Sequence, residues 1–140
     1  MLALLTFGAV AFLVDQATKR VVQTRLAGPL GGRLLHLREV RHREPIYRQA
    51  AFRLMLIVIW CSAAISAGLL HNNGLLLHSR MALAGVGCAL GGAAGNLLDI
   101  LRRQHIVDFF DLGWWPVFNL ADVAIVGGLL LAFWGMVARA

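Results

Sequence analysis

Four long stretches without a charged residue constrain what this sequence can fold into. They are Met1–Val14, Leu54–Leu70, Met81–Leu98 and Val123–Ala138. The first reaches spanning length when Asp15–Val22 is added, and the last extends back through Phe118 with one interruption, Asp122. A helix needs about 20 residues to cross the hydrocarbon core of a bilayer. The pattern therefore predicts four membrane-spanning helices.

The composition agrees with a membrane protein. Of 140 residues, 59% are hydrophobic and 14% are charged, whereas a soluble domain of this size needs more polar surface. We predict an all-α membrane protein with one four-span domain over residues 1–140. A small extramembrane segment follows the first helix, and a short interfacial segment joins the third and fourth.

The first apolar stretch has an alternative interpretation as a cleaved signal peptide. Such peptides begin with a basic region and end at a cleavage site after small residues. Here no basic residue precedes the apolar stretch, and the polar cluster "DQATK" (residues 15–19) stands where cleavage would be expected. We therefore expect a membrane span.

Residues 25–52 form the one sizeable extramembrane segment. The alternation of apolar and polar residues in "RLLHLREVRH" is typical of a short pair of strands lying on the membrane. The excess of arginine suits anionic lipid headgroups, so we expect membrane lipids as partners. With few aromatic residues among the arginines, nucleic-acid binding is not predicted.

The third stretch carries a series of glycines at helical spacing. Gly87, Gly91 and Gly95 are four residues apart and share one helix face. Small residues at this spacing allow a second helix to approach closely in a membrane. We expect this face to pack against another span.

Acids and amides gather between the third and fourth spans, in "GNLLDILRRQHIVDFFDLGWWPVFNLAD" (residues 95–122). Asn96 and Asp99 lie three apart at the end of span three, and Asn119 and Asp122 repeat that spacing at the start of span four. Asp15 and Lys19 are four apart in the first span and can pair. Carboxylates at membrane depth are costly and usually functional, so we expect a site at one membrane boundary.

The aspartates at positions 108 and 122 are the candidates for catalysis. Gly113 and Pro116 prevent a continuous helix between them, so the chain can turn back and bring Asp108 over Asp122. Two adjacent carboxyls do not readily both ionise, and such a pair can activate water without a metal or cofactor. We expect neither a metal nor a cofactor in this protein. For Asp111, neutralisation of nearby arginines is the simpler interpretation.

A proton relay through Asp15, Asp99 and Asp122 in a small transporter is an alternative. A transporter would distribute its charges through the depth of the bilayer. These acids instead collect at one boundary, which favours a hydrolytic site.

The blocks "DQATK", "GNLLD", "HIVDFFDL" and "WPVFNLAD" resemble those of the bacterial lipoprotein signal peptidase, or signal peptidase II, family. The resemblance implies an intramembrane aspartyl endopeptidase that removes signal peptides from diacylglyceryl-modified prolipoproteins just before the lipid-modified cysteine. It implies Asp108 and Asp122 as the catalytic pair. It also implies a set of substrate-binding or supporting residues: Asp15, Lys19, Asn96, Asp99, Asn119 and Ala121.

One block departs from the family pattern. The family usually carries Asn-x-Gly-Ala-Ala-Phe before span two, whereas "YRQAAF" keeps Ala50, Ala51 and Phe52 but lacks the Asn and the Gly. The alternative hypothesis is therefore a divergent relative that is catalytically silent or has an altered substrate, and that binds lipoprotein or lipid.

Charge and resemblance disagree on orientation. Nine of the 13 lysines and arginines lie between Lys19 and Arg53, and the positive-inside bias would place that loop in the cytoplasm. The resemblance implies a multi-pass protein of the bacterial inner membrane with its active site near the periplasmic face. We follow the resemblance, and we expect a monomer.

Overall fold

Four long helices form the body of the protein. The computed structural model describes residues 1–25, 30–31, 36–42, 45–73 and 79–138. The helices are α1 (Leu2–Arg25), α2 (Ala50–Asn72), α3 (Arg80–Arg103) and α4 (Leu120–Val137). All four are long and apolar enough to cross a membrane, which confirms the predicted spans. Helices α2 and α3 extend beyond the charge-free stretches and include arginines near their ends. Long basic side chains at such positions can extend to the lipid headgroups.

Helix α3 lies between α1 and α4 and approaches both of them closely. Gly91 packs so tightly on α1 that a β-carbon there would collide with the backbone oxygen of Gly8. On the α4 side, a β-carbon at Gly92 would lie 2.5 Å from the backbone oxygen of Ala121. The prediction of a close helix contact is confirmed, and α3 makes two such contacts rather than one.

Helix α2 packs much more loosely. Within α2, all of whose residues are described, Ala67 is the one buried residue. The indole Nε1 of Trp60 donates a hydrogen bond to the backbone oxygen of Leu90 on α3, at 3.0 Å. Apolar cavities of about 300 and 290 Å³ lie on the two sides of this contact, and Trp60 and Leu90 line both of them.

A small antiparallel sheet caps the end of the bundle at which α1 and α3 finish and α4 starts. Its strands are β1 (Leu30–Gly31), β2 (His36–His42) and β3 (Ile106–Asp111), in the order β1-β2-β3. Val40 of β2 lies opposite Asp108 of β3. The sequence predicted a short pair of strands within residues 33–42. The described part of that range, His36–His42, is one strand, and it pairs with β1 before it and with β3. Residues 32–35 lie outside the described part of the chain.

The interfacial segment between α3 and α4 contains β3 and a tight reversal. The valine and the two phenylalanines of "IVDFFD" favour an extended strand. After β3, Gly113 adopts the left-handed region (φ 77°) and its backbone N–H donates to Asp111 Oδ1 at 2.8 Å. Phe118 then pairs with Phe110 through reciprocal backbone hydrogen bonds of 2.9 and 3.1 Å. The chain thus returns alongside β3 immediately before α4 begins.

Candidate active site

Asn119 and Asp122 form a reciprocal cap at the start of α4. Oδ1 of Asn119 accepts from the backbone N–H of Asp122 at 3.0 Å, and Oδ2 of Asp122 accepts from the backbone N–H of Asn119 at 3.1 Å. This capping box satisfies backbone donors that have no partner within the helix. It also fixes the position of the Asp122 carboxylate relative to the end of the helix.

Asn119 also contacts Asp108. Its Nδ2 donates to Asp108 Oδ1 at 2.6 Å, and Asp108 is 6% exposed. Asp108 reaches this position because the reversal after β3 returns the chain beside that strand. One residue therefore hydrogen-bonds both aspartates that the sequence proposed as catalytic, Asp108 through its side chain and Asp122 through its backbone.

Asn96 of α3 supplies a further contact to Asp122. Its Nδ2 donates to Asp122 Oδ1 at 2.9 Å, while its Oδ1 accepts from Asn119 Nδ2 at 3.1 Å. Each oxygen of the Asp122 carboxylate therefore accepts a hydrogen bond from a nitrogen.

Lys19 of α1 lies at the centre of a buried ionic cluster. Its Nζ lies 2.8 Å from Asp15 Oδ2 and 2.7 Å from Asp99 Oδ2, and it donates to Asn96 Oδ1 at 2.9 Å. The side chains of Lys19, Asp15 and Asp99 are fully buried. Buried charges are tolerated when they are paired. Lys19 pairs with both carboxylates and donates a hydrogen bond to Asn96, whereas Asp99 Oδ2 is within ion-pair distance of Nζ but, among the described residues, has no hydrogen bond.

Asp15 and Gln16 link α1 to α4 and α3. Its Oδ1 accepts from the backbone N–H of Ala121 on α4 at 3.0 Å. Gln16 Nε2 donates to Asp15 Oδ2 at 3.1 Å and to the backbone oxygen of Gly95 on α3 at 3.3 Å. Sequence reasoning missed Gln16, although it lies inside the "DQATK" block that supplied its neighbours.

Asp99 has a second cation. Arg103 lies one turn further along α3 and places Nη1 3.1 Å from Asp99 Oδ1. Asp15 and Asp99 are thus compensated by Lys19 and Arg103, which is the arrangement of a structural ionic network.

Asp111 lies apart from this network. Its carboxylate binds the backbone N–H of Gly113 within the reversal after β3. The sequence alone favours neutralisation of nearby arginines by Asp111. The contact with Gly113 is a different role, in which an aspartate in a turn accepts from the backbone N–H two residues later. Asp111 therefore helps to form the turn that returns the chain to Asn119.

The structure brings together every residue that the sequence proposed for the site. Three helices and one strand contribute: Asp15 and Lys19 from α1, Asn96 and Asp99 from α3, Asp108 from β3, and Asn119, Ala121 and Asp122 from the start of α4. Among the described residues, no group of three or more His, Cys, Asp or Glu is placed to hold a metal ion. Two carboxyls linked by one asparagine can activate a water molecule.

An apolar cavity adjoins the site at Asn96. This cavity, of about 300 Å³, lies between α2, α3 and α4, and its lining is apolar apart from Asn96. Asn96 also binds Asp122, and it is the one residue of the candidate site that lines this cavity.

Comparisons with known proteins identify relatives over nearly the whole chain. A family model described as Signal peptidase (SPase) II matches residues 7–138. The lipoprotein signal peptidase of Pelotomaculum thermopropionicum is 38% identical, over 91% of this chain and 87% of that protein. That of Mycolicibacterium smegmatis is 37% identical over 91% of this chain, and the match spans 58% of its own length.

Solved structures share the fold. A bacterial membrane enzyme determined by the in meso method at 2.3 Å aligns with a TM-score of 0.75 at 17% identity, over 96% of this chain and 87% of that one. A second, at 1.9 Å, gives a TM-score of 0.74 at 18% identity. The chain therefore belongs to the signal peptidase II family of aspartic-type membrane proteases, the family that its sequence blocks resemble.

Proposed function

We propose that this chain is an aspartic endopeptidase that removes signal peptides from diacylglyceryl-modified prolipoproteins. The observation that carries the proposal is the pair of hydrogen bonds from Asn119, from its side chain to Asp108 and from its backbone to Asp122. These bonds connect two aspartates that are 14 residues apart in the chain to one asparagine. Membership of the signal peptidase II family supports the same reaction.

Asp122 and Asp108 take different roles in the proposed mechanism. Asp122 accepts a hydrogen bond on each oxygen, so we assign it the ionised state, and Asp108 carries the proton. The Asp122 carboxylate takes a proton from water as the water oxygen attacks the scissile carbonyl carbon. Asp108 donates its proton to the carbonyl oxygen. As the tetrahedral intermediate collapses, the C–N bond breaks, the nitrogen takes the proton held by Asp122, and the hydroxyl proton returns to Asp108.

The proposed substrate enters from the lipid. The cavity lined by α2, α3 and α4 is apolar up to Asn96, so it suits the hydrocarbon part of a lipidated substrate or its apolar signal segment. Contacts among α1, α3, β3 and α4 connect both aspartates to the rest of the site, and we propose that the enzyme acts as a monomer.

We propose that the site lies near the periplasmic face of the bacterial inner membrane. The C-terminal end of α1 and the N-terminal end of α4 lie at the site, so with four spans both chain termini would face the cytoplasm. A reporter fused after Ala140 tests this orientation. We expect a reporter that requires export to be inactive there, and strong activity would reverse the assignment.

Complementation tests the reaction itself. The protein is expressed in a strain depleted of its own lipoprotein signal peptidase, and a prolipoprotein is followed on a gel. We expect processing by the wild-type chain and its loss with Asp108→Asn or Asp122→Asn, by at least about a thousandfold, because each variant removes a group that transfers a proton. Processing that survives in both variants would exclude the aspartate pair.

The departure before α2 favours a second candidate. The position of the family's Asn-x-Gly is occupied here by a 3-10 turn, Pro45–Arg48, followed by Gln49, which caps α2 without a side-chain hydrogen bond. A catalytically silent or altered-substrate relative would bind lipoprotein or lipid and leave the precursor uncleaved. Well-expressed wild-type protein with unchanged precursor would support this second function.

A further inference from the structure

We infer that Lys19 is a positioning residue for Asp122 and acts on it through the side-chain amide of Asn96. The inference rests on the proposed function, because it concerns the carboxylate that activates water. Lys19 contacts Asn96 at 2.9 Å, and Asn96 in turn contacts Asp122 at 2.9 Å. An ammonium group on α1 thereby controls a hydrogen bond between α3 and α4.

The orientation of the Asn96 amide follows from its neighbours. An ammonium group has donors and no acceptor, so the atom of Asn96 that faces Lys19 is the oxygen. Asn119 Nδ2 donates to the same oxygen at 3.1 Å. The Asn119 amide is itself oriented, because its own oxygen accepts from the backbone N–H of Asp122. Two donors therefore face Asn96 Oδ1, and Nδ2 is left to face Asp122.

Loss of Lys19 removes the stronger of the two hydrogen bonds that Asn96 Oδ1 accepts. Hydrogen bonds from charged donors exceed those from neutral ones, and Lys19 lies in a fully buried setting where such differences are large. Without it, the Asn96 amide can turn over and present its oxygen to Asp122. Asp122 would then face a second acceptor in place of a donor.

Arg103 provides a matched control within the same cluster. Lys19 and Arg103 both pair with Asp99, one at each carboxylate oxygen. Of the two, Lys19 has the contact with Asn96. Lys19→Met and Arg103→Met each remove one cation from Asp99. Because Lys19→Met also removes the partner of Asp15, a double-mutant cycle with Asn96 is needed to isolate the contact with Asn96.

The experiment measures kcat and KM of purified, detergent-solubilised protein on a lipidated peptide substrate, normalised to folded protein. We expect kcat of Lys19→Met to fall by about tenfold to a hundredfold, the effect of one hydrogen bond to a charged group. We expect its KM to stay near the wild-type value, since Lys19 is fully buried. Arg103→Met should retain a kcat close to that of the wild type. Equal losses of kcat in the two variants would overturn the inference.

A double-mutant cycle with Asn96→Leu tests the route. If Lys19 acts through Asn96, Lys19→Met/Asn96→Leu should have a kcat no lower than that of Asn96→Leu alone, because the intermediary is already absent. Multiplied losses would show that Lys19 acts on Asp122 by another route and would overturn the inference.

A neutralised background guards against misfolding. Lys19→Met leaves Asp15 and Asp99 with less compensation, so Asp99→Asn serves as a second reference and is compared with Lys19→Met/Asp99→Asn. A further tenfold loss of kcat on removing Lys19 supports the inference, and no further loss contradicts it.

Failure of the inference can be distinguished from failure of the proposed function. If the wild-type chain cleaves and requires Asp122, but Lys19→Met behaves like Arg103→Met, the inference is wrong and the proposed function stands. A wild-type chain that cannot cleave removes the proposed function.

Discussion

Helix α3 has two kinds of neighbour. Against α1 and α4 it presents glycines at backbone contact, and the polar cluster around Lys19 and Asp122 joins the same three helices. Its contact with α2 includes a hydrogen bond that Trp60 of α2 donates to the backbone of α3, and an apolar cavity lies on each side of that bond. One side of α3 is thus fixed to its neighbours, and the other is loosely covered.

The difference follows from the physics of helix association in lipid. Apolar side chains gain little by leaving hydrocarbon tails for other apolar side chains, so close packing and interhelical hydrogen bonds provide most of the stability. The α1–α3–α4 side has both, and it carries the residues whose relative positions decide the chemistry. The α2 side has little of either, which suits a wall that must accommodate an apolar ligand of variable shape.

The largest expected effect is at the tight side, with Gly91→Ala. The added methyl group would collide with the backbone of Gly8, and neither helix can move without breaking the Lys19 cluster. We expect the free energy of unfolding in detergent to fall by about 3 kcal/mol or more, the upper part of the range for overpacking. Thermal unfolding followed by circular dichroism measures the loss.

Gly127→Ala is the control for that substitution. A β-carbon at Gly127, on α4, would meet nothing within 4 Å. Alanine is favoured over glycine inside a helix by up to about 1 kcal/mol, so this variant should equal or exceed the wild type in stability. Similar losses in the two variants would mean that the contact at Gly91 is not tight.

A smaller effect on stability, with a large effect on activity, is expected at Asn119. Asn119→Ala removes the cap of α4 and should lower the free energy of unfolding by about 1 kcal/mol. Asn119→Ser retains a capping hydroxyl but is too short to reach Asp108 as well. We expect Asn119→Ser to keep most of the stability and to lose about a hundredfold in kcat, similar to the loss of one preorganised donor. Prolipoprotein cleavage by folded protein is the measurement.

The contrast between these two variants separates positioning from folding. If Asn119→Ser cleaves as fast as the wild type, the bond from Asn119 to Asp108 has no part in the reaction. If it unfolds as readily as Asn119→Ala, the cap depends on more than the hydroxyl.

Sequence alone predicted those features that local spacing determines. Uninterrupted apolar stretches indicated the four spans, the four-residue separation of Asp15 and Lys19 indicated their ion pair, and the glycine series indicated a close helix contact. Each of these depends on the geometry of a single helix, which is regular enough to be deduced from residue numbers.

Contacts between distant parts of the chain could not be predicted in the same way. The pairing of β2 with β3 joins segments about 70 residues apart, and no local pattern encodes the register that sets Val40 opposite Asp108. The bond from Asn119 to Asp108 depends on where the chain reverses after β3. Gly113 and Pro116 indicated that a reversal exists, but its position depends on the pairing of Phe110 with Phe118.

The smallest expected effect is at the loose side, with Trp60→Phe. Phenylalanine keeps most of the ring and loses the hydrogen bond to the backbone oxygen of Leu90, which lies within α3. We expect the free energy of unfolding to fall by about 0.5–1 kcal/mol, the net value of one neutral hydrogen bond. Trp134→Phe, on α4 at a position 63% exposed, controls for the change of ring and should alter stability less. A loss at Trp60 as large as that of Gly91→Ala would show that α2 is held as firmly as α1 and α4, and the distinction between a fixed side and a loosely covered side of α3 would not stand.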